Sequence, residues 1–257
     1  MDLTIATLTL ESFLLVLVRT ATFIVAAPIL GHRSINTRVK VLMAACISLA
    51  IFTATDPSIP EYSTVLEFSM FIIKEAAVGL SLGFTASFVM SILVMAGEFI
   101  DREIGFTMST NFDQSIGAMV TITAEFYDKM VLLVVVISNL HYYILRALAR
   151  SFELIPIGRV NINFPYIYNN VIGFIGEYFS IGFRIAMPVF LGATMLNVVL
   201  GVLAKSSPQM NMFAVGLQLK VVTGLLLLSI TVMFIPNIAN YLMEKIQNML
   251  TTLIGGM

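Results

Sequence analysis

The sequence is short of charge, with one cysteine and no tryptophan. Charged residues make up 11% of the 257 residues and hydrophobic residues 58%, whereas globular domains average about 25% charged and about 45–50% apolar residues. So little charge excludes an ordinary soluble domain and predicts an integral membrane protein. Because tryptophan is missing, the eight tyrosines are left to form any aromatic belt at the membrane interfaces.

Scarce residues also exclude several kinds of site. One cysteine, Cys46, cannot form a disulfide framework, and two histidines, His32 and His141, cannot complete a Cys/His metal site. The net charge of −1 is not typical of a nucleic-acid surface, which needs clustered Lys and Arg. No metalloprotease, nucleophile-elbow or paired-carboxylate motif occurs on a predicted helix, so we expect neither an enzyme nor a cofactor. Because Asp2 and Glu11 precede the first basic residue, we expect no cleaved signal peptide.

Long apolar segments alternate with short polar ones along the whole chain. About 20 helical residues cross a bilayer core of about 30 Å. We predict six helical segments, at about 8–30, 41–55, 65–97, 130–148, 166–200 and 212–243. The second is marginal as a span, the fifth is either one kinked helix or a hairpin, and Ala27-Pro28 should end the first. Gly79-x-x-x-Gly83 predicts a close helix contact within the third.

Charged residues interrupt these apolar segments. Arg19 lies near the middle of the first, and an arginine inside a membrane needs an acidic partner or water. Glu75 in the third segment is a candidate partner. Two interpretations remain open for Arg19: a structural ion pair between helices, or a charge that lines a pore.

The basic loops do not give a consistent topology. Arg33, Arg38 and Lys40 place loop 31–40 in the cytoplasm, and loop 56–64 then lies outside. Counting onward puts the basic residues of 149–165 outside, against the positive-inside rule. Either the stretch 97–129 contains a re-entrant hairpin, or the helices are not conventional spans. Overlong segments with central charges favour the second explanation and imply an assembly.

The stretch 97–129 is half polar and half apolar, and it carries eight of the chain's 29 charged residues. Two acid-first pairs at four-residue spacing, Glu98 with Arg102 and Glu125 with Lys129, predict two helical arms at about 96–104 and 118–130. A non-helical link should join them. Its methionine and phenylalanine side chains have two possible roles, core filling or a deformable surface that lines a water-filled conduit.

The order of local motifs along nearly the whole chain resembles the FliR family of flagellar type III export-gate proteins. The matching residues are Arg19, Ala27-Pro28, Arg33, Arg38-Val39-Lys40, Gly83-Phe84, Ala96-Gly97-Glu98, the run 105–113, His141, Ser151-Phe152, Ile155-Pro156-Ile157-Gly158, Met187-Pro188, Asn197, Gly201, Lys205, Pro208-Gln209-Met210-Asn211, Phe213 and Gly216. The chain departs from the family at Leu140, where glycine is frequent, at Lys205, where arginine is usual, and at Gln114, where proline is frequent.

The resemblance implies an all-α fold: an integral membrane-associated bundle of long, kinked helical hairpins, built into a helical hetero-oligomeric assembly. A single domain, 1–257, would combine a FliP-like part, 1–165, with a FliQ-like C-terminal hairpin, 166–257. Implied partners are FliP-like, FliQ-like, FlhB-like and FlhA-like proteins, with unfolded flagellar protein as cargo and with neither nucleic acid nor a small-molecule substrate. The implied location is the bacterial inner membrane, within the flagellar basal body and partly projecting to the periplasmic side.

The resemblance also implies a pore plug at about 105–119. Its apolar side chains are then interpreted as a deformable seal and not as core filling. The candidate plug residues are Gly105, Phe106, Met108, Asn111, Phe112, Asp113, Ile116 and Met119. The candidate assembly or intramembrane charges are Arg19, Lys74, Glu75, Glu98, Arg102, Glu125, Lys129, Arg184, Lys205 and Lys220. No catalytic, cofactor-binding or metal-binding residue is expected.

The leading hypothesis is therefore a pore-forming, non-enzymatic subunit of the flagellar export gate. A gate subunit of a virulence injectisome has the same physical features and differs in its cargo. A secondary transporter for small solutes is the alternative from another class, because charges and broken helices inside a membrane mark transport sites. The scattered charges and the lack of an inverted repeat in the hydropathy pattern argue against a transporter.

Overall fold

The computed structural model describes residues 2–32, 34–55, 60, 62–106, 110–113, 118–161, 163–206 and 212–257. For 2–8, 110–113, 118 and 212–214 it describes the backbone alone. The elements are α1 (Asp2–Ala26), α2 (Thr37–Thr55), α3 (Val65–Ile104), β1 (Thr110–Asp113), β2 (Ala118–Thr121), α4 (Ile122–Ile137), α5 (His141–Leu154), α6 (Phe164–Ser206), α7 (Met212–Thr231), a 3-10 turn (Val232–Phe234) and α8 (Ile235–Ile254).

The predicted all-α membrane fold is confirmed, with a two-stranded hairpin added to it. In the described ranges, five helical stretches are long and apolar enough to cross a bilayer. The longest helices, α3 and α6, have 40 and 43 residues, about 60–65 Å at 1.5 Å per residue. Both exceed a hydrocarbon core of about 30 Å.

Two prolines have different effects on the helices that contain or precede them. The first helix ends at Ala26, directly before Ala27-Pro28, as predicted. The fifth apolar segment is one helix and not a hairpin, because α6 continues across Pro188. A proline inside a helix removes one backbone hydrogen bond, and in α6 that loss does not break the helix.

Several of the predicted boundaries are wrong. The arm 96–104 is not separate, because α3 continues through it to Ile104. The segment 130–148 is not one span, because α4 ends at Ile137 and α5 begins at His141, with Asn139 between them at φ 57°. Asparagine tolerates this left-handed backbone better than most residues.

The sixth segment also divides in two. The 3-10 turn Val232–Phe234 separates α7 from α8, and Pro236 is the second residue of α8. Proline near a helix start is tolerated because the first N–H groups of a helix have no intrahelical partner.

The chain forms two compact units, each with its own core. One comprises Met1–Val89, Leu140–Gly173 and Met243–Met257. In it Gly79 and Gly83 face α1, since a Cβ at Gly83 would lie 2.7 Å from the carbonyl oxygen of Phe23. The predicted close contact at this glycine pair is confirmed.

The second unit comprises Met90–Asn139 and Phe174–Leu242. The side chains of its core are at most 1% exposed at Ile100, Tyr127, Val131, Val189 and Ala239. The hairpin β1–β2 and the helix ends that carry it belong to this unit.

Candidate functional site

The link between α3 and α4 starts at a sharp turn. Gly105 has φ +96°, and its N–H donates to the carbonyl of Asp101 at 2.9 Å. This left-handed backbone is open to glycine without the Cβ clash that other residues meet. The family-like glycine therefore ends α3 and redirects the chain into the link.

The link contains an antiparallel hairpin. Strand β1 pairs with β2 in the register Thr110 opposite Thr121, Asn111 opposite Val120, Phe112 opposite Met119 and Asp113 opposite Ala118. This hairpin corrects the second predicted arm, 118–130, because its first four residues are strand and α4 begins only at Ile122.

Asp101 fixes the base of the link. The backbone N–H of Thr123 donates to Oδ2 of Asp101 at 2.8 Å, and the Thr123 hydroxyl donates to its Oδ1. Both residues are buried, with Asp101 fully so. A carboxylate at the first turn of a helix accepts N–H groups that lack intrahelical partners and complements the helix dipole. The end of α3 thus caps the start of α4.

Sequence reasoning missed this cap. Asp101 counted as one more polar residue in a charged stretch, and Thr123 lies 22 residues later. The available signal was Thr121 directly before the apolar helix α4, since threonine is favoured at the position that precedes a helix.

The two helices also touch at Gly97. A Cβ at this position would overlap the backbone N and Cα of Ala124 on α4. Two turns further along α3, a Cβ on Gly224 of α7 would lie 2.6 Å from the side chain of Ile104. The last two turns of α3 therefore pack tightly against α4 and α7, and the link leaves from a rigid base.

The candidate plug residues are placed unevenly. Phe106 is half-buried and Met119 is exposed. Asn111, Phe112 and Asp113 lie in β1, while Met108 and Ile116 fall outside the described residues. Gly105 sits at the turn that starts the link. Sealing by these residues stays a prediction.

Arg19 and Glu75 form a fully buried ion pair. Nε of Arg19 lies 2.6 Å from Oε2 of Glu75, and both side chains are 0% exposed. The guanidinium also donates to the carbonyls of Ser151 and Ile155 at 3.0 and 3.1 Å, and it lies 4.3 Å from the ring centroid of Phe152. Glu75 was the candidate partner in the sequence, and the structure confirms the pair.

The second carboxylate oxygen of Glu75 reaches the next loop. The N–H of Gly158 donates to Oε1 at 2.9 Å, and Gly158 has φ +74°. Buried charges are tolerated when their hydrogen-bonding capacity is satisfied. Since every contact of this cluster lies within one compact unit, its geometry fits the structural interpretation of Arg19.

The other candidate charges are less buried. Arg102, Arg184 and Lys205 are exposed, and Lys74, Glu98, Glu125, Lys129 and Lys220 are half-buried. The predicted Glu125–Lys129 pairing is replaced by a contact of Lys129 with Asp128 at 3.4 Å. Within the described ranges no ion pair joins Glu98 to Arg102. Over the same ranges, no three His, Cys, Asp or Glu side chains are grouped to hold a metal ion.

Large apolar surfaces remain open on the longest helices. In the most apolar windows of α6 and of 215–254, only 17% of the residues are buried. Exposed side chains include Phe179, Leu191, Met195, Leu226 and Met233. Contiguous apolar surfaces on helices of this length are covered by lipid or by other protein chains.

Comparison with known proteins gives a consistent picture. Residues 10–246 match the sequence profile of the bacterial export proteins, family 1. The chain is similar to the flagellar biosynthetic protein FliR of Bacillus subtilis (strain 168), with 29% identity over 251 residues that cover 95% of this chain and 96% of the relative.

Two further relatives carry the same name. The flagellar biosynthetic protein FliR of Escherichia coli (strain K12) is 29% identical over 93% of this chain and 91% of its own. That of Aquifex aeolicus (strain VF5) is 30% identical over 86% of each. The resemblance seen in the sequence motifs is thereby confirmed.

Proposed function

Since the chain belongs to the bacterial export proteins, family 1, we propose that it is the pore-forming subunit of a flagellar protein export gate. Its relatives are flagellar biosynthetic proteins, and the chain is a membrane component of the flagellar export apparatus. In the proposed role, unfolded flagellar subunits cross the inner membrane through a channel to which this chain contributes the link between α3 and α4. The flagellar relatives favour flagellar cargo over that of an injectisome.

The observation that carries the proposal is the tethered hairpin. Asp101 and Thr123 fix its base, and its two strands pair with each other. A segment fixed at one end and built from Phe106, Phe112 and Met119 suits a movable apolar seal, because methionine and aromatic side chains adapt to varied contacts.

The open apolar faces support an assembly. The windows of α6 and of 215–254 are mostly unburied, and FliP-like, FliQ-like, FlhB-like and FlhA-like subunits are the proposed cover. In this proposal 1–165 acts as a FliP-like part and 166–257 as a FliQ-like part, with a portion of the assembly projecting to the periplasmic side. The chain supplies structure and a passage and carries out no chemistry.

Deletion of 108–117 tests the seal. The deleted chain, expressed with its gate partners but without the rest of the basal body, should make cells leak small ions. A second variant, in which Gly and Ser replace the same ten residues, keeps the length and removes the apolar side chains. It should leak as well if those side chains form the seal.

Co-purification is the control for both variants. If the deleted chain assembles with its partners and the conductance matches that of the unaltered gate, the link is not the seal.

A further inference from the structure

The second compact unit contains an open trough of about 350 Å³. One wall is a stripe of α6 formed by Ile181, Arg184, Ile185 and Pro188. These positions are spaced by three, four and seven residues, so they lie along one face over two helical turns. Ile181 is buried at the floor, whereas Arg184 and Pro188 are exposed at the rim.

The opposite wall repeats the same spacing. Phe234 at the end of the 3-10 turn and Asn237, Ile238 and Tyr241 on α8 are again separated by three, four and seven residues. Phe234 and Tyr241 are 53% and 44% exposed. Two stripes of about two turns each, about 10 Å long, form a surface on which a third helix can pack.

The floor of the trough has its polar groups satisfied. Tyr127 and Thr231 are buried, and their hydroxyl oxygens lie 2.8 Å apart. The Thr231 hydroxyl also donates to the carbonyl of Leu228 at 2.9 Å. An apolar side chain can therefore fill the floor without leaving a buried donor unpaired.

Arg184 supplies the one charge of the trough. It lies about 30 Å from either end of α6 at 1.5 Å per residue, far from the helix termini. In the described part of the chain, no carboxylate lies within ion-pair distance of it. An arginine that becomes covered by apolar surface needs a carboxylate, because a desolvated unpaired charge is strongly unfavourable.

We propose that this trough is the docking site for an apolar helix of another gate subunit, which places one Asp or Glu opposite Arg184. The inference rests on the proposed function, since it names a partner surface of the assembled gate. The matched stripes favour a helix over a lipid tail, because the side chains of a third helix fit a face whose residues are spaced by three, four and seven.

The test uses the full chain co-expressed with its gate partners. The photoreactive residue benzoylphenylalanine replaces Phe234, at the trough, and in a matched variant it replaces Met233, the adjacent residue that is 78% exposed and outside the lining. The probe at 234 should crosslink to an apolar helix of a different subunit, and the probe at 233 should not give that adduct.

Charge changes then test the carboxylate. Arg184→Glu should lower the crosslinking yield at 234 by about tenfold or more, and Arg184→Lys should lower it less, because lysine keeps the charge but not the planar donor fork. Exchange of the facing carboxylate for lysine should restore the yield with Arg184→Glu.

Several outcomes would overturn the docking site: adducts with phospholipid only, adducts with a second copy of this chain, or the same adducts at 233 and 234. If the gate assembles and position 234 stays uncrosslinked, the docking site fails while the proposed function stands. If the unaltered chain forms no complex with the gate subunits, the proposed function fails.

Discussion

Thr123 donates both its backbone N–H and its hydroxyl to the carboxylate of Asp101, which lies 22 residues earlier in the chain. The end of one helix thereby fixes the start of another, and everything between them becomes a loop with a closed base. Because the proposed seal lies in this loop, the pair determines how far the seal can move as a unit.

Asp101→Asn should destabilise this base. The asparagine side chain has one acceptor oxygen where aspartate has two, and its N–H₂ group is a donor. One of the two Thr123 donors therefore has no acceptor, which lowers the free energy of unfolding by about 1–3 kcal/mol. The melting temperature of the purified chain should fall, and proteolysis at 105–121 should speed up. Glu153→Gln is the matched control, because Glu153 is exposed on α5 and exposed charges contribute about 1 kcal/mol at most. If the two changes lowered the melting temperature equally, the proposal that Asp101 caps α4 would be contradicted.

Gly97→Ala should disturb the crossing of α3 and α4. The added methyl group would overlap the backbone of Ala124, and overpacking of this kind destabilises by about 1–3 kcal/mol. Gly201→Ala is the control, because a Cβ there meets nothing within 4 Å and alanine favours a helix over glycine by up to about 1 kcal/mol. Thermal unfolding in detergent compares the stability of the two variants. A Gly97→Ala chain as stable as the unaltered one would contradict the close crossing of α3 and α4.

Arg19→Met and Glu75→Gln should each destabilise the chain by about 3–5 kcal/mol, since each leaves a buried charge without its partner. The measurement is thermal unfolding, with Lys74→Gln as the neighbouring half-buried control. Recovery of the complex with the FliP-like partner should fall together with the stability of the chain. Normal stability and normal assembly with arrested export would instead give Arg19 a direct part in transport.

A cysteine pair can test movement within the hairpin. Phe112 and Met119 are directly opposite in the strand register, and opposite Cα atoms lie about 4.5–5.5 Å apart, within disulfide range. In a Cys46→Ser background, oxidation of Phe112→Cys with Met119→Cys should leave export active, because a flap that moves as a unit does not need its strands to separate. Each single cysteine variant is the control. Export that stops on oxidation and returns with a reductant would show that the strands must separate.

The sequence predicted those features that depend on one local signal. Ala27-Pro28 marked the end of the first helix. An arginine and a glutamate, each isolated in an apolar segment, were expected to pair, because an unpaired charge inside a membrane is energetically unfavourable. That the chain is an integral membrane protein followed from its composition for the same reason.

Features that depend on contacts distant in sequence were not predictable. The break at Asn139 has no proline or glycine beside it, and the short polar pair Ser138-Asn139 is too weak a signal to end a helix in the sequence. The cap by Asp101 needs the end of α3 and the start of α4 to be neighbours, which no spacing rule gives. Short hairpins such as β1–β2 are set by pairing, and their residues here also fit a helical pattern.

The hairpin also sets a scale for cargo. Its strands are four residues long, about 13 Å at 3.3 Å per residue. Displacement of one such flap by its own length clears a width close to that of a single α-helix with its side chains, about 10–12 Å. A folded domain of 100 residues has a radius of gyration of about 13 Å and so a diameter at least twice the cleared width. In the proposed gate, an aperture of this size would admit a chain only after its tertiary structure has been taken apart, so the length of one short hairpin would act as a size filter for the exported protein.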